Sequence, residues 1–228
     1  MLIWAVLVII NGLAAATSPP QGGQSLLMPQ NITEGTPVSL PCRLSGRINW
    51  FRGAKQIIGD PRRQMDRHGN LHFSYVDVSD TAVYKCSRAS NSKVKLVNPV
   101  HLNVIKAAGK VKDAMPKLQY SSGTTHVTLG QDVTQQCIFS GRPVPVVTWY
   151  HDDNQITETA RVKLSFTSVT IKNMSEEDTG TYRCIGKNTV TSNSHVVNLT
   201  LPVQPNAELS TTPAEQNDDT TAGKICIF

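Results

Sequence analysis

The sequence predicts an all-β protein made of two tandem copies of one small β-sandwich. The first observation is a repeat: "DTAVYKC" at 80–86 returns as "DTGTYRC" at 178–184, 98 residues later. A repeat of that length matches a whole domain and is too long for a solenoid unit. The second observation is strand-like alternation of apolar and polar residues in short runs such as "LHF", "VTI" and "VTWY". Turn signals such as "RHGN" and "HDDN" separate these runs.

Each copy also carries a cysteine, then a tryptophan, then a tyrosine two residues before a second cysteine. This order on many short strands is typical of an immunoglobulin sandwich. Residues 25–201 as a whole resemble two tandem I-set immunoglobulin domains with Greek-key sandwiches. "CIFSGRPVPVVTW" (137–149) resembles the B–C region of such domains. "GNLHFSYVDVSDTAVYKC" (69–86) is similar to neuroglian-like neural adhesion molecules and insect hemolin. The two-domain layout also resembles the secreted insulin-peptide-binding proteins of insects.

The resemblance implies one inter-sheet disulfide in each domain, Cys42–Cys86 and Cys137–Cys184. It also implies a core signature in which the tryptophan packs on the bridge and the tyrosine hydroxyl bonds back to the backbone. An aspartate four residues before the tyrosine is expected to pair with a basic residue: Arg63 or Arg67 in the first domain, and Arg161 in the second. The signature residues are Trp50, Asp80 and Tyr84, then Trp149, Asp178 and Tyr182.

The chain divides by composition into five segments. Residues 1–16 read as a signal peptide with an apolar core and small final residues, and the alternative is an N-terminal membrane anchor. We expect domain 1 over 25–106, a basic linker over 107–117 and domain 2 over 118–201. An acidic, disordered tail rich in Thr, Ser and Pro should follow over 202–228. With no transmembrane segment after the domains, we expect a secreted, extracellular protein, unless the chain is a truncated product of a longer receptor.

In a secreted protein we expect two kinds of covalent modification, namely N-linked glycosylation and disulfide formation. Glycosylation sequons stand at Asn31, Asn173 and Asn198. The fifth cysteine, Cys226, has no partner in the two-domain scheme. It predicts either a disulfide-linked dimer or an unpaired thiol.

The sequence shows no pattern of catalytic or cofactor-binding residues, so we expect a non-enzyme without a cofactor. The run His151-Asp152-Asp153 could suggest a metal site, but its place after a strand favours a solvated turn. Nucleic acid is not an expected partner, because the basic residues are not interleaved with aromatic ones in a secreted chain.

Positive charge is concentrated in the first half of the chain. The formal net charge is +7 over residues 25–106, +2 over 107–117, −1 over 118–201 and −3 over 202–228. Such a field favours acidic partners, and sulfated glycosaminoglycans are abundant ones outside cells. The alternative is a basic surface that serves solubility alone. The residues predicted to bind a heparin-like chain are Arg62, Arg63, Arg67, Lys110, Lys112 and Lys117.

Strand alternation predicts a second candidate surface. Because Trp50 must point into the core, Asn49 and Phe51 should point outward on the outer face of the sheet that contains the tryptophan strand, as should Tyr150 in domain 2. Exposed aromatic residues of this kind form binding hot spots, although they can also pack only on their neighbours. A glycan on Asn198 would obstruct the face of domain 2, so the sequence favours the face of domain 1.

Two classes of function remain open at this point. The resemblance favours an adhesion or recognition protein that engages an extracellular protein, a cell-surface receptor or an acidic glycan. The alternative is a soluble carrier or decoy that sequesters a peptide hormone or growth factor.

Overall fold

A computed structural model describes residues 30–88 and 96–202 of the chain. Contacts between Cα atoms divide the chain into two compact units, with the boundary between Asp113 and Ala114. The predicted signal peptide, residues 203–228 of the predicted tail, and Cys226 lie outside the described residues.

The first unit is a sandwich of two sheets. In the described residues, one sheet has the strand order β1-β8-β7-β3-β4 and the other the order β2-β6-β5. A single turn of 3₁₀ helix, Val78–Asp80, precedes β7. The strands are β1 (Gln30–Thr33), β2 (Val38–Leu40), β3 (Ile48–Arg52), β4 (Lys55–Ile57), β5 (Arg63–Met65), β6 (Leu71–Phe73), β7 (Ala82–Arg88) and β8 (Leu96–Ile105).

The second unit repeats this architecture. Its sheets have the orders β10-β17-β16-β12-β13 and β14-β15-β11-β9. A 3₁₀ turn at Glu176–Asp178 precedes β16. The strands are β9 (Ala114–Ser121), β10 (Thr125–His126), β11 (Val133–Arg142), β12 (Val146–His151), β13 (Asn154–Gln155), β14 (Val162–Leu164), β15 (Ser168–Ile171), β16 (Gly180–Lys187) and β17 (Ser192–Thr200).

Alternation along the strands builds each core. In β3, Ile48 and Trp50 are buried while Asn49 and Phe51 are half-buried on the other side. In β17, Val197 and Leu199 are buried, and the residues between and beside them face outward. Since adjacent side chains of a strand point to opposite faces, each sheet keeps one face for the core and one for solvent. The predicted all-β fold of two tandem sandwiches is confirmed.

One disulfide joins the two sheets of each unit, as the resemblance implied. Cys42 and Cys86 are bridged in the first unit, with 6.1 Å between their Cα atoms. Cys137 and Cys184 are bridged in the second, with 6.5 Å between theirs. Each bridge lies in the apolar core of its unit, together with a buried tryptophan.

The corner tyrosines tie the start of β7 and of β16 to the preceding 3₁₀ turn. The Tyr84 hydroxyl donates to the carbonyl oxygen of Asp80 at 2.8 Å. The Tyr182 hydroxyl donates to that of Asp178 at 2.7 Å. Burial raises the pKa of Tyr84 to about 12 and also raises the pKa of Tyr182, so both stay neutral donors across the physiological range.

The two units differ by one residue in one loop, which joins β5 to β6 in the first unit and β14 to β15 in the second. Five residues, 66–70, lie between the paired Met65 and Leu71. Four residues, 165–168, lie between the paired Leu164 and Val169. The longer loop includes Gly69, whose φ of +83° favours glycine. Its carbonyl oxygen accepts a hydrogen bond from the indole nitrogen of Trp50 at 2.7 Å.

Because of this difference, we expect a side-chain hydrogen bond to stabilise Trp50 in its core but not Trp149. Among the described residues, none accepts a hydrogen bond from the buried indole nitrogen of Trp149. We therefore expect Trp50→Phe to destabilise its domain by about 1 kcal/mol more than Trp149→Phe, because only the former breaks a buried hydrogen bond. Native-state hydrogen exchange at core amides gives the free energy of unfolding of each domain. Equal losses in the two variants would show that the bond to Gly69 contributes nothing.

Candidate functional site

The ion pair at the base of the first domain uses a different arginine from the two that the sequence indicated. Both terminal guanidinium nitrogens of Arg62 donate to the carboxylate of Asp80, with Nη2 and Oδ1 3.0 Å apart. Arg63 instead pairs with Asp60 at 2.7 Å. Arg67 lies in the loop beyond β5, at the opposite end of that strand. The expectation of Arg63 or Arg67 is therefore wrong.

The longer loop in domain 1 explains this shift of one position. Counting 98 residues back from Arg161 gives Arg63, so the offset of the repeat by itself favours Arg63. In the sheets, however, Arg63 pairs with Phe73 as Val162 pairs with Ile171. Arg62 is therefore the structural counterpart of Arg161, since each immediately precedes its strand.

In the second domain Arg161 does pair with Asp178, as the sequence indicated. Burial acts to raise the pKa of Asp178, but hydrogen bonds from Ser175 and the charge of Arg161 outweigh it and hold the pKa below its usual value. This pair is more exposed than Arg62–Asp80, where the Asp80 side chain is 1% exposed. Both pairs fasten a strand to a 3₁₀ turn, so they are structural.

Of the residues predicted to bind a heparin-like chain, the three arginines of domain 1 do not lie together on one surface. Arg62 and Arg63 have their charges offset by Asp80 and Asp60. Arg67 lies beyond the far end of β5, in the loop that leads to β6. The three lysines, Lys110, Lys112 and Lys117, are exposed; the first two belong to the first unit, and Lys117 lies on β9 of the second.

The outward residues of β3 are only partly accessible. Phe51 is half-buried and lies opposite Gln56 of β4 and Lys85 of β7. The Gln56 amide donates to the side-chain oxygen of Asn49 at 3.3 Å. This arrangement agrees with the alternative in which an aromatic residue at this position packs on its neighbours.

The same face of the second domain is more apolar, which the sequence reasoning missed. Val146 and Val196 are 69% and 49% exposed on β12 and β17. Tyr150 of β12 lies opposite Arg183 of β16, which in turn lies opposite Val196 of β17. The guanidinium of Arg183 is 5.0 Å from the centroid of the Tyr150 ring. Ile185 of β16 lies opposite Thr148 on this face. We call Val146, Tyr150, Arg183, Ile185 and Val196 the apolar face. Its signal in the sequence was the pair of adjacent valines in "VPVVTWY" and in "HVVNL", because one valine of each pair must face outward from a strand.

The three sequons lie at surface positions with different surroundings. Asn173 is exposed in a turn, with φ of 50°. Asn198 is half-buried, lies opposite Thr181 and follows Val196 of the apolar face by two residues on the same side of β17. Asn31 on β1 accepts a hydrogen bond from Asn103 through its side-chain oxygen at 2.8 Å. That bond does not use the amide nitrogen, to which a glycan is attached.

Strand β1 brings a sequon beside the solvent face of domain 1. Asn31 lies beside Asn103 in the parallel register of β1 and β8. Asn103 shares the solvent face with His101, because Leu102 and Val104 between and beside them are buried. A sequon therefore borders the face of domain 1 as well as that of domain 2. The alternation of β8 alone did not reveal this, since β1 comes from a distant part of the chain.

The run His151-Asp152-Asp153 forms the hairpin between β12 and β13. Asp152 and Asp153 have φ of 43° and 65°, the conformation of a tight type I′ turn. Asp152 accepts from the Thr181 amide, and Asp153 pairs with Arg183 at 2.7 Å. Within the described residues, no three His, Cys, Asp or Glu side chains are grouped to hold a metal ion. In the same part of the chain, no helix has the length and apolar character to cross a membrane.

A buried polar network shapes the longer loop of domain 1. Asp66 accepts hydrogen bonds from the amides of His68 and Asn70, each at 2.9 Å. It also bonds to His72 at 3.0 Å, and His72 bonds to Ser39 at 2.8 Å. Burial acts to raise the pKa of Asp66, but the hydrogen bonds from His72 and Asn70 outweigh it and lower the pKa. The network orients the loop that holds Trp50.

This network predicts an acid-sensitive first domain. Because the folded-state pKa of Asp66 lies below its usual value of 3.8, its contribution is present above that value and is lost as the pH falls through the lowered pKa. We expect Asp66→Asn to cost about 1–3 kcal/mol at neutral pH, with the difference from wild type shrinking below about pH 4. Denaturation over a pH series measures this. The matched change Asp153→Asn, at an exposed pair, should have little effect, and a pH-independent loss in Asp66→Asn would contradict the argument.

Both sandwiches match a known family of domains. The family model described as Immunoglobulin I-set domain matches residues 23–104 and 116–201. Peroxidasin homolog of Homo sapiens is 30% identical over 193 residues, covering 82% of this chain and 12% of the relative. Neural cell adhesion molecule L1 of Mus musculus is 28% identical over 203 residues, covering 83% of the chain and 16% of the relative. The chain thus spans only a small part of these relatives.

Solved structures show the same fold. Immunoglobulin domains 1–4 of Sidekick-1 superpose with a TM-score of 0.68 at 21% identity, covering 78% of this chain and 50% of that one. A structure titled for Dscam isoform specificity gives a TM-score of 0.52 at 17% identity, covering 80% and 52% of the two chains. At these identities the likeness concerns the fold.

Proposed function

Because the chain belongs to the immunoglobulin I-set family, we propose that it is a secreted, non-enzymatic recognition protein of the cell-adhesion type. Several of its relatives are named as neural cell adhesion molecules. The two inter-sheet disulfides support an extracellular location, since such bonds persist in oxidising compartments. Its partners are cell-surface proteins and acidic glycans.

The proposed binding of a cell-surface protein rests on the apolar face of domain 2. Exposed Val146 and Val196 lie on the same face as Tyr150, and the guanidinium of Arg183 lies over the tyrosine ring. Tyrosine and arginine surrounded by apolar contacts are the usual components of a hot spot. We therefore assign the contact with a cell-surface protein to this face. The acidic-glycan part rests on the net +9 of residues 25–117.

The test is binding of the labelled, full chain to cells of the tissue that expresses it. The double variant Val146→Asp, Val196→Asp places two charges on the apolar face and should lower cell binding about tenfold or more, as expected for a disrupted hot spot. The matched control is Leu129→Asp, Phe166→Asp, which adds the same charges at exposed apolar residues outside the face. The control should bind as wild type does.

Two results would contradict the proposal. Equal loss in the two double variants would show that added charge, and not the face, weakens binding. Retention of a single soluble peptide in a one-to-one complex, without binding to cells, would favour the carrier alternative.

A further inference from the structure

One cluster of positive charge in domain 1 lies at the end of the sandwich opposite to Arg62 and Arg63. Four arginines there are exposed: Arg43 and Arg47 in the β2–β3 loop, Arg67 in the β5–β6 loop, and Arg88 at the end of β7. We call these four the loop-end patch. Antiparallel strands that end at the same edge place these loops together.

Hydrogen bonds show that the loops are adjacent. Arg88 donates through Nη2 to the hydroxyl of Ser45 at 3.2 Å, which joins β7 to the β2–β3 loop. The Cys42 amide donates to the side-chain oxygen of Asn70 at 3.1 Å, which joins the β2–β3 and β5–β6 loops. Arg47 and Arg67 line one shallow depression together with Asn49.

The charges of this patch are not offset by acidic side chains. Within residues 30–88 and 96–202, no carboxylate lies within ion-pair distance of any of the four arginines. The one acidic residue of these loops, Asp66, is buried and is engaged by His68, Asn70 and His72. By contrast, Arg62 and Arg63 at the other end each have an aspartate partner.

The chemistry of the patch selects the kind of partner. None of the exposed large apolar side chains in the described residues lies in these loops. A protein partner needs an apolar centre to its interface, whereas a sulfated polysaccharide offers anionic groups along a hydrophilic chain. Guanidinium groups form paired, charge-assisted hydrogen bonds that suit such oxyanions.

We propose that the loop-end patch of domain 1, formed by Arg43, Arg47, Arg67 and Arg88, binds the sulfate groups of a glycosaminoglycan chain. This inference rests on the proposed recognition function and locates its acidic-glycan site. It moves the site away from Arg62, Arg63 and the linker lysines, to the end of domain 1 that lies farthest along its strands from the linker.

The experiment compares two variants that remove the same charge. The first carries Arg43→Gln, Arg47→Gln, Arg67→Gln and Arg88→Gln. The control carries Lys55→Gln, Lys110→Gln, Lys112→Gln and Lys117→Gln, all exposed residues. With size-defined heparin oligosaccharides as the probe, we expect the first variant to bind at least about fivefold more weakly than wild type, from four exposed charge contacts. The control should change binding less, and circular dichroism should show both variants folded.

Each other outcome overturns the inference. A larger loss in the lysine variant would place the site at the linker. Equal losses would show a diffuse field without a site. Equal retention of wild type on heparin and on polyglutamate would show attraction to any polyanion, including an acidic protein. Cell binding through the apolar face, measured after enzymatic removal of heparan sulfate, tests the recognition function separately, so the two proposals can fail independently.

Discussion

Replacing Arg62 by alanine is expected to lower the free energy of unfolding of domain 1 by about 3–5 kcal/mol, because it leaves a buried carboxylate without its counter-ion. Asp80 is 1% exposed and accepts from both terminal nitrogens of Arg62. It also accepts from the backbone amide of Asp77 at 2.9 Å. That single hydrogen bond does not offset the desolvation of the charge. A loss of this size is a large share of the stability of a small domain.

The neighbouring residue provides the control for this prediction. Arg63 pairs with Asp60 at the surface, where the two side chains are 26% and 34% exposed. We expect Arg63→Ala to cost no more than about 1 kcal/mol. Hydrogen exchange at the core amides of β3 and β7 gives both values in the full chain. If the two variants lose the same amount, Arg62–Asp80 is no more important than a surface pair.

The second large effect is expected from the disulfide of domain 2. Cys137→Ala, paired with Cys184→Ala to avoid a free thiol, should cost about 4 kcal/mol, since the bridge spans 47 positions of the chain and restricts the unfolded state. Both cysteines are fully buried beside Trp149, so the change also leaves a gap in the core. We expect the amount of secreted protein to fall sharply.

Because each domain has its own core, hydrogen exchange can report the effect of this change in the two domains separately. Domain 1 has its own bridge and its own core cluster. Its hydrogen-exchange protection should therefore stay at the wild-type level while that of domain 2 falls. Normal secretion together with unchanged protection in domain 2 would contradict the assigned role of the bridge.

Local sequence determined the fold of this protein because its signals are periodic and short-ranged. Alternating runs fix which side chains of a strand face the core, and the Cys, Trp and Tyr-x-Cys spacing is carried by residues that meet in every such sandwich. Because the chain carries two copies of this pattern, the same inferences about strands and core residues apply to both domains. The all-β class, the two sandwiches and both disulfides were all predictable in this way, and the pair Arg161–Asp178 was indicated correctly.

Tertiary structure alone decided which charges are neutralised and which remain exposed. A single extra residue in loop 66–70 moved the ion pair from Arg63 to Arg62, and no local pattern records how a loop shifts the register of two strands. Summing charge along the chain placed the basic character in domain 1, but ion pairing depends on side chains from distant strands. The structure thus assigns Arg62 and Arg63 to internal pairs and leaves Arg43, Arg47, Arg67 and Arg88 exposed, because only folding brings each arginine near a carboxylate or keeps it away from one.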